Sequence, residues 1–124
     1  MKDFDSWNVR KKQINDRIVL PEYIVEGEIW WCVLGVNVGS EQDGSEDTYE
    51  RPVLVIKRFT KKLYLVIPLT SQKKIGTYYP KLTSRSYLLF LQIRVVDAKR
   101  MQRKLRTVTP RQFAKVRNLF KRLL

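Results

Sequence analysis

The chain has 124 residues, 25 of them Lys or Arg against 12 Asp or Glu, with no His, one Cys and 44% apolar residues. That is the size of one domain with a real core. The missing His excludes Ser-His-Asp, Cys-His and His-paired RNA hydrolysis, and one Cys alone falls short of the roughly three or four ligands of a zinc site. No metal, no cofactor and no internal disulfide are therefore expected.

Charge divides the chain in two. Residues 1–50 carry five basic and eleven acidic side chains, whereas residues 51–124 carry twenty basic and one acidic, Asp97. The halves hold −6 and +19 of the total +13. A basic surface of that strength suits a polyanion: nucleic acid, an acidic membrane or an acidic protein segment. The longest apolar run, residues 29–34, is far short of the roughly 20 that span a bilayer, and no cleavable leader is evident. The expected location is the cytoplasm, with no membrane role.

In chain order, residues 3–17 space Trp7, Val9 or Arg10, and Ile14 as a short polar helix, with Asp5 and Ser6 as caps. Pro21 then breaks the chain. Residues 27–38 are rich in β-branched and aromatic side chains and predict a strand, in which alternation sends Trp30 and Trp31 to opposite faces. Glu41, Asp43, Glu46, Asp47 and Glu50 make the segment 41–50 an acidic loop. Residues 51–57 and 63–69 predict two more strands joined by a basic turn at 59–62. A polar connection leads to an edge strand over 77–82, a strong strand over 87–96 and a short one over 104–108. Thr109 and Pro110 then open a helix, as N-cap hydroxyl and first-turn proline. Behind them Phe113, Val116, Phe120 and Leu123 share one face of an otherwise basic helix. The fold class is mainly β with helices (α+β): a small, curved β-barrel covered by the C-terminal helix. That helix is expected to pack on the barrel rather than on a membrane.

Gly27-Glu28-Ile29-Trp30, then Gly39-Ser40-Glu41-Gln42, then Arg51-Pro52-Val53-Leu54-Val55-Ile56, resemble the MazF/PemK (Kid) toxins of type II toxin–antitoxin systems. Pro68-Leu69-Thr70-Ser71 and Gln92-Ile93-Arg94-Val95-Val96-Asp97, with Lys99-Arg100, are similar to that family's later motifs, in the same order. The resemblance runs from about residue 26 to the C-terminus, so the chain divides into an N-terminal helical extension, 1–25, and a barrel domain, 26–124. It implies an SH3-like barrel, a homodimer and a metal-independent endoribonuclease restrained by an acidic antitoxin. Residues around Trp30–Val33 or the C-terminal helix are the expected apolar dimer contact. Two features depart from the family pattern. Eight residues separate Gln42 from Arg51, a longer loop than the family has. Leu89 and Leu91 stand where the PemK/Kid branch has its proposed catalytic Arg and Asp, which favours a MazF-type site on Arg51 and Thr70.

Metal-free cleavage of single-stranded RNA would use the substrate's 2′-hydroxyl as nucleophile, leaving a 2′,3′-cyclic phosphate and a 5′-hydroxyl. Arg51 suits the phosphorane charge, because its guanidinium forks onto two oxygens and stays protonated below about pH 12. Thr70 would donate a hydroxyl hydrogen bond to the same phosphate. Glu41, with a reference pKa of about 4.3, is the candidate base. Gln42, Ser71 and Gln92 are candidate RNA contacts, and Trp31 a stacking surface. The acidic loop is either a solvated spacer or a gate that pairs with basic residues of 51–124 until RNA displaces it. Two other readings compete: a non-catalytic nucleic-acid-binding barrel, and an interaction module for an acidic peptide. The cleavage motif and the antitoxin's identity are not legible in the chain.

Overall fold

The computed structural model describes residues 2–124 except 22, 40, 46 and 47. Helix α1 (Phe4–Asn15) starts at Asp3, whose carboxylate accepts from the Ser6 N–H at 3.0 Å and the Ser6 hydroxyl at 2.8 Å. Asp5 and Ser6 were the expected caps, but both already lie inside the first turn. A cap must reach N–H groups two or three residues ahead, and Asp3 is the residue so placed. Only Trp7 and Ile14 of α1 are buried, and they pack on Val33, with Val36 and Tyr49 alongside.

Seven strands form one curled antiparallel sheet: β1 (Glu28–Val33), β2 (Glu50–Arg58), β3 (Leu63–Thr70), β4 (Lys81–Thr83), β5 (Ser86–Leu88), β6 (Arg94–Asp97) and β7 (Met101–Thr107). The order is β4-β5-β3-β2-β1-β7, with β6 also paired to β3. The sheet is a half-barrel, closed off by α2 (Pro110–Leu123). The expected α+β architecture, a small β-barrel with helices at both ends, is what the chain adopts.

Both faces of the central strands are buried, which is why β1 and β2 read as apolar runs rather than as alternating sequence. Trp30, Cys32, Val53 and Val55 belong to one cluster with Tyr64, Val66 and Met101. Ile29, Leu54 and Ile56 belong to another, covered by Val116 with Phe113, Leu119 and Leu123 of α2. Fully burying one such side chain contributes about 1.5–3 kcal/mol. Trp30 and Trp31 do point to opposite faces: Trp30 is core and Trp31 half-exposed. Burial of Trp30, Cys32 and Val33 in their own chain removes these three from the expected dimer contact. The Cys32 thiol is pushed up to about 12 by burial. Helix α2 starts at the expected Thr109 cap, and the structure adds a reciprocal partner: Thr109 Oγ1 accepts from the Gln112 N–H at 3.1 Å, and Gln112 Oε1 from the Thr109 N–H at 3.0 Å, a capping box.

The strand expected over 87–96 is two strands. Both pair with the same edge of β3, but Leu69 opposes Leu88 while Leu63 opposes Asp97. The two pairings are out of register, and a three-residue 3-10 turn, Phe90–Gln92, takes up the difference. The turn follows Leu89, whose N–H donates at 2.9 Å to the carbonyl of Pro68, a residue with no N–H to return to the ladder. The strand expected over 27–38 stops at Val33, because the chain turns at Gly35 with φ +77. The last strand begins three residues earlier than expected, at Met101, and the expected edge strand 77–82 contributes only Lys81–Thr83.

The N-terminal helix is tied to the barrel at its far end too. Arg17 donates to the carbonyls of Lys99, at 3.1 Å, and Met101, while Lys99 Nζ donates to the Asn15 carbonyl at 2.7 Å.

Candidate active site

Pairing of Cys32 with Arg51 and of Val53 with Pro68 brings the start of β2 beside the end of β3. Arg51 is half-buried there. Its NH1 donates to the Leu69 carbonyl at 3.1 Å and its Nε to the Asp43 carbonyl at 3.0 Å. No carboxylate among the described residues forms a salt bridge with it. Burial lowers its pKa, with the Asp43 charge opposing. Three of its five N–H donors have no protein acceptor among the described residues. A guanidinium with donors to spare is able to fork onto the oxygens of an anion.

Thr70 closes β3 and is buried; its Oγ1 accepts from the Gln72 N–H at 3.2 Å. That turn uses a lone pair and leaves the hydroxyl proton available. Arg51 and Thr70 are thus neighbours through the Leu69–Thr70 peptide. Thr70, Ser71 and Trp31 line a cleft of about 280 Å³ together with Pro52 and Leu105. Arg85 and Arg106 stand on the same cleft. Sequence reasoning missed both, since they arrive from the turn between β4 and β5 and from β7. The only signal was that two arginines are placed in otherwise short, polar segments. One face of Trp31 is covered by the Arg103 guanidinium, 5.0 Å from the ring centre, and Arg103 also meets Glu50 at 2.9 Å.

Glu41, Gln42 and Gln92 line a different cleft, of about 490 Å³, with Asn37, Leu91 and Arg94. Gln42 donates its N–H to Gln92 Oε1 at 3.1 Å and its side-chain amide to the Asp43 carbonyl at 3.0 Å, the oxygen that Arg51 also uses. Glu41 is exposed and accepts from the Val38 N–H at 2.8 Å. Six of the seven candidates therefore divide between the two clefts, three on each, while Arg51 lines neither and is hydrogen-bonded to a carbonyl next to each group, that of Leu69 beside Thr70 and that of Asp43 beside Gln42. Leu89 is buried and Leu91 exposed at the mouth of the larger cleft.

The acidic loop pairs only partly as a gate would. Glu50 does meet a basic residue of the second half, Arg103, but Asp43 pairs with Lys2 at 3.3 Å. Glu46 and Asp47 lie outside the described residues. A separate carboxylate, Glu28, is buried at the start of β1. Burial raises its pKa, and hydrogen bonds from Lys104 (2.8 Å), the Val25 N–H (2.7 Å) and Trp30 Nε1 (3.1 Å) outweigh that, so the net shift is downward. No helix among the described residues is long and apolar enough to cross a membrane, and none of their His, Cys, Asp and Glu side chains gather as a metal-ligand set.

Compared with known proteins, residues 26–124 match the sequence profile of the family described as PemK-like, MazF-like toxin of type II toxin–antitoxin system. No curated protein matches the chain in sequence. Among solved structures, MazF (Form-I) from Deinococcus radiodurans is similar with a TM-score of 0.63 at 23% identity, over 86% of this chain and 97% of that one. The MazE–MazF complex (Form-II) from the same organism gives 0.63 at 23%, over 82% and 96%. An endoribonuclease in complex with its cognate antitoxin from a Mycobacterial species gives 0.58 at 13%, over 81% and 93%.

Proposed function

Because the chain belongs to the family of PemK-like, MazF-like toxins of type II toxin–antitoxin systems, we propose that it is an endoribonuclease acting on single-stranded RNA without a divalent metal. The observation that carries this reading is Arg51: a half-buried guanidinium held by two carbonyls, without a carboxylate partner among the described residues, beside a threonine with an available proton. A scissile phosphate between them would receive the fork of Arg51 and the hydroxyl of Thr70. Charge developing on the phosphorane oxygens strengthens both bonds in the transition state, which is where binding raises kcat. The substrate's own 2′-hydroxyl attacks phosphorus, its proton passing to a base for which Glu41 is the candidate, and the bond to the 5′-oxygen breaks, that oxygen taking its proton from water. Products are a 2′,3′-cyclic phosphate and a 5′-hydroxyl.

Arg85 and Arg106 would take flanking phosphates at the smaller cleft. Ser71 and the open part of Trp31 would meet the nucleotide beside them. Stacking on an aromatic ring contributes about 1–3 kcal/mol per base. Gln42 and Gln92, with amide groups at the larger cleft, would read base edges. The protein acts as a homodimer in this reading; among the described residues β6 is paired on one side only, and Leu91 and Val95 are 57% and 47% exposed. The restraining partner is an acidic antitoxin, suited to a chain of net charge +13.

The test is incubation of purified protein with mixed-sequence RNA in EDTA, followed by analysis of the ends. Cyclic-phosphate and 5′-hydroxyl ends are expected, and deoxyribose at the scissile nucleotide should block cutting while leaving binding intact. Activity that disappears with chelator would refute the mechanism. Light scattering should give twice the 14.8 kDa chain mass.

A further inference from the structure

The first 25 residues precede the segment that matches the family, yet they reach the loop that holds Arg51. Two side chains make the connection. Lys2 sends its ammonium to the carbonyls of Asn37 and Gly39 and to the Asp43 carboxylate, 3.3 Å away. Asp43 accepts the Asn37 N–H through its carboxylate at 2.6 Å, and Arg51 Nε through its carbonyl at 3.0 Å. A single residue therefore joins Lys2 to Arg51.

Trp7 acts at the neck of the same loop. Its ring lies over Gly35 so closely that a Cβ there would stand 2.1 Å from it, and its centre is 5.3 Å from that of Tyr49. Tyr49 is the one non-glycine residue among those described with a positive φ, +61. An L residue keeps such a conformation when its surroundings hold it there. Besides Trp7, those surroundings include the N–H groups of Leu34 and Gly35, which donate to the Tyr49 carbonyl at 2.9 and 3.1 Å, and the Ser45 carbonyl, which accepts the Tyr49 N–H at 2.9 Å. Arg51 follows two residues later.

We propose that α1 and the residues leading into it are a clamp for the active-site loop, with Trp7 of the helix and Lys2 before its cap as positioning residues that keep the Arg51 guanidinium where a phosphate must bind. The proposal rests on the role given to Arg51 above. Freed from Lys2, Asp43 would carry its carbonyl away from Arg51 Nε, and the fork would lose one of its two fixed points. Misplacing a group that acts in the transition state by about 1 Å costs up to about 100-fold in rate. The loss belongs in kcat more than in KM, because Arg51 binds most strongly after charge has developed.

The experiment compares full-length Lys2→Met, Trp7→Ala and Trp7→Phe with the unaltered chain. Amide exchange at Asn37, and at Gly44 whose N–H donates to the Gly35 carbonyl at 2.8 Å, reads the loop, and single-turnover RNA cleavage with thermal melting reads its consequence. Lys2→Met should melt normally, exchange faster at both amides and cleave about tenfold more slowly, with KM little changed. Trp7→Phe, which retains a ring at Gly35 and Tyr49, should recover most of the rate lost in Trp7→Ala. Unchanged exchange in Lys2→Met overturns the clamp, and so does faster exchange with undiminished cleavage. If Trp7→Ala fails to fold, Lys2→Met still decides the matter. Full cleavage by Arg51→Ala would instead overturn the proposed function, with the exchange rates still reporting on the clamp.

Discussion

Two corners of the sheet take a charge out of water and treat it in opposite ways. At the Glu28 corner the carboxylate is fully engaged: Lys104 supplies the counter-charge, and Val25 and Trp30 supply N–H donors. At the Arg51 corner the guanidinium meets only carbonyls, and its remaining donors have no acceptor among the described residues. A satisfied buried charge holds a structure together, because its desolvation cost has been met by its own partners. One left incomplete is most stable when something from outside completes it. The difference sets the closed ion pair of Glu28 apart from the phosphate-binding role proposed for Arg51, even though both residues belong to adjacent strands of one sheet.

The comparison breaks most readily at Arg51. Arg51→Ala should lose about 100–1000-fold in kcat, as for removal of one preorganised donor to a developing oxyanion, with a small change in melting temperature. Arg51→Lys should recover only part, because an ammonium does not fork. A variant that unfolds would move Arg51 into the same class as Glu28. Thr70→Val comes next: loss of a hydrogen bond to a charged group, about 1.5–3 kcal/mol, corresponds to about 10–100-fold in single-turnover cleavage.

Glu28→Gln should do the reverse. Stability is expected to fall by about 1–3 kcal/mol in chemical denaturation, while cleavage per folded molecule stays the same. The pH dependence sharpens this. The folded pKa of Glu28 lies below its ordinary value of 4.5, so its stabilisation is complete above that value and is lost as pH falls through the lower, folded one. The gap between Glu28→Gln and the unaltered chain should therefore narrow in acid; a gap that widened would mean the wrong sign. The smallest effect is expected from replacing Glu46 and Asp47 with Ser. RNA should bind slightly more tightly at low salt, and the difference should vanish as salt screens it. An unchanged affinity at every salt concentration would leave that stretch a spacer.

Elements whose instructions are local were legible in the sequence. Thr109 and Pro110 are adjacent, and the helix starts on them as expected. Residues 87–96 misled because the instruction lies elsewhere: the break in that segment answers to Pro68 on the opposing strand, and periodicity within one segment has no access to its partner. Arg51 and Thr70 could be paired only through family resemblance, since nothing within residues 51–70 announces that the Leu69 carbonyl will meet the guanidinium. Arg85 and Arg106 converge from separate strands, and Lys2 reaches Asp43 from the other end of a helix. Such contacts are products of topology, and charge counting sees them only as members of a basic half.

Cys32 has a practical consequence. The chain's single thiol is buried in the first core cluster and remains protonated well above physiological pH. Oxidants and alkylating reagents therefore find no ready nucleophile on the native fold, and two copies cannot be joined by a disulfide without first opening the core. A disulfide through this thiol is therefore not a means of joining copies of the native fold. The same burial makes an introduced surface cysteine the lone reactive handle, so that a fluorophore could be placed at one chosen position without first removing the native residue.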